Sequence, residues 1–152
     1  MIVSDIMTEA SVADIPGDTL RAAATRMWRQ QTGSLLIMDG DRLVGILTER
    51  DLLRAVARGE DVDSTRVDQV MTTEVRTVGP DAPLHETARL MAAHWIRHLP
   101  VVEGDKVVGV VSQRDLVGIL AALDPSPQGV ELPNDQLVRA RRLARIEHGD
   151  LD

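Results

Sequence analysis

The chain has 152 residues, with 17 Lys and Arg against 24 Asp and Glu, and its formal net charge of -7 leaves no basic face for a general nucleic-acid binder or a polybasic membrane contact. It has no Cys, Phe or Tyr and only 2 Trp, which excludes disulfides, thiolate metal sites and cysteine nucleophiles and leaves the core to aliphatic residues. No apolar run approaches the ~18–20 residues that span a bilayer. Met1-Ile2-Val3-Ser4-Asp5 lacks the basic and apolar regions of a signal peptide, so a soluble, cytoplasmic protein is expected.

The elements come in one order, used twice. Val12 to Ile15 reads as a short strand, and Asp18 opens a helix from Leu20 to about Gln31 with Leu20, Ala23, Ala24 and Met27 on one face. Leu35 to Met38 and Leu43 to Leu47 flank Asp39-Gly40-Asp41 and predict a hairpin. A helix from Asp51 to about Arg58 follows, and Gly59 to Ser64 connects to the second round. There Val75 to Val78 is the strand, and Asp81 opens a helix from Leu84 to about His94. Val101-Val102 and Val107 to Val111 flank Glu103-Gly104-Asp105, Pro100 is expected at the first residue of its strand, and a helix runs from Asp115 to about Leu123. Asp124-Pro125-Ser126-Pro127 starts a linker, and Asn134 caps a last helix, Gln136 to about His148, that carries Arg139, Arg141, Arg142 and Arg145.

The repeat is visible residue by residue. At an offset of 64, Val3 falls on Val67, Met7 on Met71, Thr8 on Thr72, Leu20 on Leu84, Met27 on Met91 and Gly40 on Gly104. Only Val12 to Ile15 needs a one-residue slip to face Val75 to Val78. The expected organisation is an α/β (α+β) chain of two βαββα units, 1–62 and 63–123, followed by a tail, 124–152, with a linker and a C-terminal helix.

Two stretches carry candidate chemistry: Gly45-Ile46-Leu47-Thr48-Glu49-Arg50-Asp51 and Gly109-Val110-Val111-Ser112-Gln113-Arg114-Asp115. Each is a strand running into a helix, with a hydroxyl at the junction and a carboxylate three residues on. As structure, this is a capping box: the hydroxyl accepts from the new helix and the carboxylate reaches back. As a site, the helix N-terminus favours an anion, the hydroxyl can meet a phosphate, and the carboxylate can accept from a ribose diol. Capping alone does not require Gly45 and Gly109, which would let a backbone or a ligand approach closely. His94 and His98 are four apart, but a helix ending near His94 separates them and no third ligand is spaced with them, so no metal site is expected. No Ser has a triad pattern and no carboxylate pair is set for acid–base work, so no enzyme and no catalytic cofactor are expected.

With Asp5-Ile6-Met7-Thr8, Gln69-Val70-Met71-Thr72 and Arg97-His98-Leu99-Pro100-Val101-Val102, the two Gly-x-x-(Thr/Ser)-x-x-Asp stretches resemble a tandem pair of CBS domains, a Bateman module, over about residues 1–123. The resemblance implies two units packed about a pseudo-two-fold axis, a homodimer, and a cleft for adenosine-containing ligands (AMP, ADP, ATP or S-adenosylmethionine) that regulate an unnamed protein partner. It places one pocket at Ile46, Thr48 and Asp51 with Thr77, Val78, Ile96, Arg97 and His98. The other is at Val110, Ser112 and Asp115 with Asp14, Ile15, Thr32, Gly33 and Ser34. The first is expected to be better equipped, because Arg97 can meet a phosphate and His98 can donate or stack. The second departs from the family pattern: Asp14 replaces a hydroxyl, Leu36 stands where a Pro would, and Gly33 occupies the counterpart of Arg97. Trp95 is expected at a core or rim position, with stacking on an adenine as the alternative. The alternative function is a ligand-free interaction module whose motifs are caps only.

Overall fold

The structure, a computed structural model, describes residues 1–9 and 12–123. The expected linker and the helix Gln136 to His148 lie outside the described residues. One compact unit spans Met1–Leu120 and takes in both repeats up to that residue. Among the described residues, no helix is long and apolar enough to cross a membrane.

In chain order the elements are β1 (Ala13–Asp14), α1 (Leu20–Gln30), β2 (Ser34–Asp39), β3 (Arg42–Thr48), α2 (Glu49–Ala57), α3 (Leu84–His94), β4 (His98–Glu103), β5 (Lys106–Ser112) and α4 (Gln113–Leu123). These make two βαββα-like repeats. Both hairpins turn on a glycine in the left-handed region, Gly40 at φ 60° and Gly104 at φ 61°, as the tight turn requires. Leu20, Ala23 and Met27 of α1 are buried against Leu35, Ile37 and Leu47 of the first hairpin. Met91 of α3 is buried against Leu99, Val101 and Val111 of the second.

The helix caps differ from expectation. α1 is capped by Thr19, whose hydroxyl accepts from Ala22 N–H at 3.2 Å, and not by Asp18, whose carboxylate turns to Arg26 at 3.4 Å. α3 begins at Leu84 as expected, but the residue at its cap is Pro83, not Asp81, and it has no side-chain cap. Instead, the hydroxyl of buried Thr87 donates to Pro83 O at 3.1 Å, which satisfies the one polar group that α3 buries.

The sheets differ for one backbone reason. Leu36 N–H donates to Val12 O at 3.1 Å, and β1 joins β2 in a three-stranded sheet. Its counterpart Pro100 has no N–H to give. Residues 75–78 therefore make only an isolated parallel bridge, Val78 to Val101, and the second sheet has two strands. Pro100 is the third residue of β4, not the first, and its carbonyl accepts from Val78 N–H at 3.1 Å. The bridge also fixes register. Asp14 pairs with Ile37 as Val78 pairs with Val101, so Asp14, and not Ile15, is the counterpart of Val78 and no slip is needed.

The segments before each β1 position are exchanged between repeats. Thr8 pairs with Val110 through bonds of 2.9 and 3.0 Å, and Thr72 pairs with Ile46 through two of 3.0 Å. Val3 is fully buried in the second core and Val67 in the first. The approach explains both glycines: a Cβ on Gly109 would stand 2.7 Å from Thr8 O, and one on Gly45 2.4 Å from Met71 Sδ. Each glycine admits the other repeat's leading segment.

Candidate functional site

Both strand-to-helix junctions are complete capping boxes. Thr48 N–H and Oγ1 donate to Asp51 Oδ2 at 2.7 and 2.9 Å, and Asp51 N–H returns a bond to Thr48 Oγ1 at 3.4 Å. Ser112 N–H and Oγ donate to Asp115 Oδ2, both at 2.7 Å, and Asp115 N–H donates to Ser112 Oγ at 3.3 Å. The preceding turns are matched too: Glu49 N–H donates to Gly33 O at 3.1 Å and Gln113 N–H to Arg97 O at 2.8 Å.

The two carboxylates then part company. Asp51 is buried, and its Oδ1 accepts from Arg54 Nη2, one turn along α2. Asp115 is half-buried, and its Oδ1 has no partner among the described residues. The position corresponding to Arg54 in α4 is Gly118.

A cavity of about 700 Å³ opens beside Asp115, within the span of small-molecule sites, which run about 300–1,000 Å³. Its walls come from both repeats. α1 and the start of β2 give Met27, Trp28, Gln31, Thr32, Gly33 and Ser34, and the second repeat gives Arg97, His98, Val110, Ser112, Arg114 and Asp115. Thr8, Val12, Glu49 and Gln113 also contribute.

Of the second expected set, Thr32, Gly33, Ser34, Val110, Ser112 and Asp115 line this one cavity. Asp14 and Ile15 do not. Ile15 is exposed, and Asp14 is buried with its Oδ1 accepting from Ile15 N–H at 2.8 Å and its Oδ2 lying 3.5 Å from Arg26 Nε. Burial first, and then the neighbouring Asp18 side chain, push the Asp14 carboxyl up to about 6. Its Oδ1 thus ties into the turn before α1, while its buried Oδ2 makes no hydrogen bond among the described residues.

Of the first expected set, Arg97 and His98 line the cavity of Ser112 and Asp115. Val78 and Ile96 pack against the second core, Thr77 is exposed, and Ile46 is buried in its pairing with Thr72. Register explains His98: it stands opposite Ser112 on the β4–β5 ladder, so the two side chains share a face. The imidazole lies against Gly33, where a Cβ would come within 3.0 Å of its ring. Burial first, then the Arg97 guanidinium, hold His98 below the usual histidine range, while Glu49 and Asp115 pull it up and Arg114 pushes it down. It is a neutral imidazole at pH 7, able to donate from one nitrogen and accept at the other.

Arg97 lies 3.9 Å from Glu49, an exposed pair that costs little to open. Trp28, 78% exposed, stands on the cavity wall, while Trp95 caps the end of α3 at φ 56° and is not on that wall. The only sign of Trp28 in the sequence is its place one residue beyond Met27, just off the buried stripe of α1. The site thus combines an open carboxylate oxygen, two arginines, a neutral imidazole and an indole around a space shared by both repeats.

Comparison with known proteins identifies the family. The CBS domain family model matches residues 3–58 and 67–122. The CBS domain-containing protein YhcV of Bacillus subtilis is 37% identical over 115 residues, 75% of this chain and 81% of its own length. A CBS domain protein from Pyrobaculum aerophilum, solved complexed with AMP, superposes with a TM-score of 0.73 at 32% identity over 81% of this chain and 98% of its own. The CBS domain pair of protein MJ0100, solved with 5-methylthioadenosine and S-adenosyl-L-methionine, gives a TM-score of 0.75 at 26% identity over 82% of this chain and 98% of its own. The chain belongs to the CBS-domain family and carries two copies of the domain.

Proposed function

We propose that this protein is a CBS-pair regulator that binds an adenosine phosphate (AMP, ADP or ATP) in the cavity between its repeats and passes its ligand state to a protein partner. The observation that carries this is the Asp115 carboxylate, held by its cap on the wall of a 700 Å³ cavity with Oδ1 uncommitted. A ribose diol supplies the donors this oxygen lacks. The Ser112 hydroxyl already gives its proton to Asp115, so charge recognition falls to Arg97 and Arg114, with the neutral His98 imidazole able to donate a hydrogen bond. Arginines there suit a phosphate and repel a sulfonium, which ranks the adenosine phosphates above S-adenosylmethionine. The neighbours support an adenosine-containing ligand of either kind, AMP in the Pyrobaculum protein and S-adenosyl-L-methionine in MJ0100, so the ranking rests on the arginines.

Regulation follows from where the walls come from. A ligand touching α1 and β2 on one side and β4, β5 and α4 on the other favours whichever packing of the repeats brings those walls together, and it shifts that equilibrium only by its difference in affinity between packings. Leu53 and Val56 of α2 and Val117 and Leu120 of α4 are exposed, which supports a homodimer through these helices. Cytoplasmic residence completes the proposal. The second reading, an interaction module with structural motifs only, draws on the capping boxes, which are complete without a ligand.

Calorimetric titration with AMP, ADP, ATP and S-adenosylmethionine separates the two. Micromolar heat with an adenosine phosphate is the expected result. No heat with any of the four would move the assignment to the interaction module.

A further inference from the structure

The twin motifs invite the expectation of twin sites. Their chemistry is unequal, and the inequality sits on one position. In α2, Arg54 reaches back three residues to Asp51 Oδ1, the oxygen that corresponds to the free one of Asp115. The Asp51 side chain is only 6% exposed and the Arg54 side chain 26%, so the pair is largely withdrawn from water. In α4 the same position is Gly118, and a Cβ there would meet nothing within 4 Å. No packing constraint demands the glycine, and no cation reaches Asp115 from that position.

The groups around the two motifs differ in the same sense. Arg97 and His98 serve the cavity of Asp115. The arginine beside Asp51, Arg50, gives a guanidinium hydrogen bond to Trp95 O at 3.2 Å. We infer that the protein takes one adenosine phosphate per chain, at Asp115, because Arg54 occupies the carboxylate that a second ligand would need. This rests on the function proposed above and adds its stoichiometry and the residue that sets it. A ribose entering at Asp51 would have to displace a charged partner with a neutral diol, and a charge-assisted bond is roughly twice as strong as a neutral one.

The test is a calorimetric titration of the full chain with AMP, read for stoichiometry, on wild type, Arg54→Ala and Gly118→Arg. The wild type is expected to bind one AMP per chain. Arg54→Ala should admit a second, weaker equivalent. Gly118→Arg, whose Cβ enters open space, should place a guanidinium on Asp115 and weaken AMP binding on the order of a hundredfold. Two equivalents on the wild type overturn the inference, as does Gly118→Arg binding like the wild type. If Arg54→Ala fails to fold, Gly118→Arg decides alone. An absence of AMP uptake by the wild type instead removes the proposed function, and the inference with it.

Discussion

Replacing Asp115 with Ala should weaken AMP binding by a hundredfold or more, while Asp51→Ala leaves the affinity unchanged. Two hydrogen bonds from a ribose diol to an ionised carboxylate contribute about 1.5–3 kcal/mol each. Losing both amounts to about 3–6 kcal/mol, or more than two decades in Kd. Each variant also loses a helix cap, which costs about 1 kcal/mol of stability and is read from denaturation, not from binding. Asp115→Asn separates the effects further. It keeps an oxygen for Ser112 N–H and so spares much of the cap, but it removes the charge that a diol needs. An Asp51→Ala variant that loses AMP, beside an Asp115→Ala variant that keeps it, would reverse the assignment of the site.

Gly109→Val should unfold the protein more readily, by about 2–4 kcal/mol. The nearest wall facing Gly109 is backbone, Thr8 O at 2.7 Å from where the Cβ would go, and behind it stands the Met7 side chain, Sδ at 3.1 Å. A valine must push residues 7 and 8 off β5. That breaks the Thr8–Val110 pair and loosens Val3, which is fully buried in the second core. Urea denaturation measures this loss, and AMP affinity should fall with it, because Thr8 and Val110 both line the cavity. Gly118→Ala is the contrast, since its Cβ enters open space on a helix, where Ala is better than Gly by about 0.5–1 kcal/mol. Equal stability of Gly109→Val and wild type would mean that the leading segment contributes nothing to the second repeat.

Much of this was legible from residue spacing. The period of 64 gives the repeat, the Gly40 and Gly104 turns give the hairpins, and Leu84 to His94 is the α3 helix to the residue. The two capping boxes stand where a hydroxyl three residues before a carboxylate puts them. What the spacing does not carry is which copy packs on which. Val3 and Val67 are equivalent in sequence, so nothing local says that each is buried in the other's repeat; only the closing of the three-dimensional fold decides it.

The same limit applies to the site. The family resemblance assigns Arg97 and His98 to the first pocket, whereas the β4–β5 ladder sets His98 beside Ser112. The difference between Arg54 and Gly118 is plain in the sequence once the repeats are aligned. Its consequence depends on the side chain reaching back to Asp51, which is a matter of helix geometry. Asp18 yields the cap to Thr19 because Arg26, two turns along α1, takes its carboxylate.

The most direct measurement is a crystal structure of the full chain grown with AMP. The account predicts one AMP in the cavity between the repeats, its ribose hydroxyls on Asp115 Oδ1 and its phosphate toward Arg97, Arg114 and His98. AMP seated on Asp51 instead, with Arg54 turned away and the Asp115 cavity empty, would contradict it.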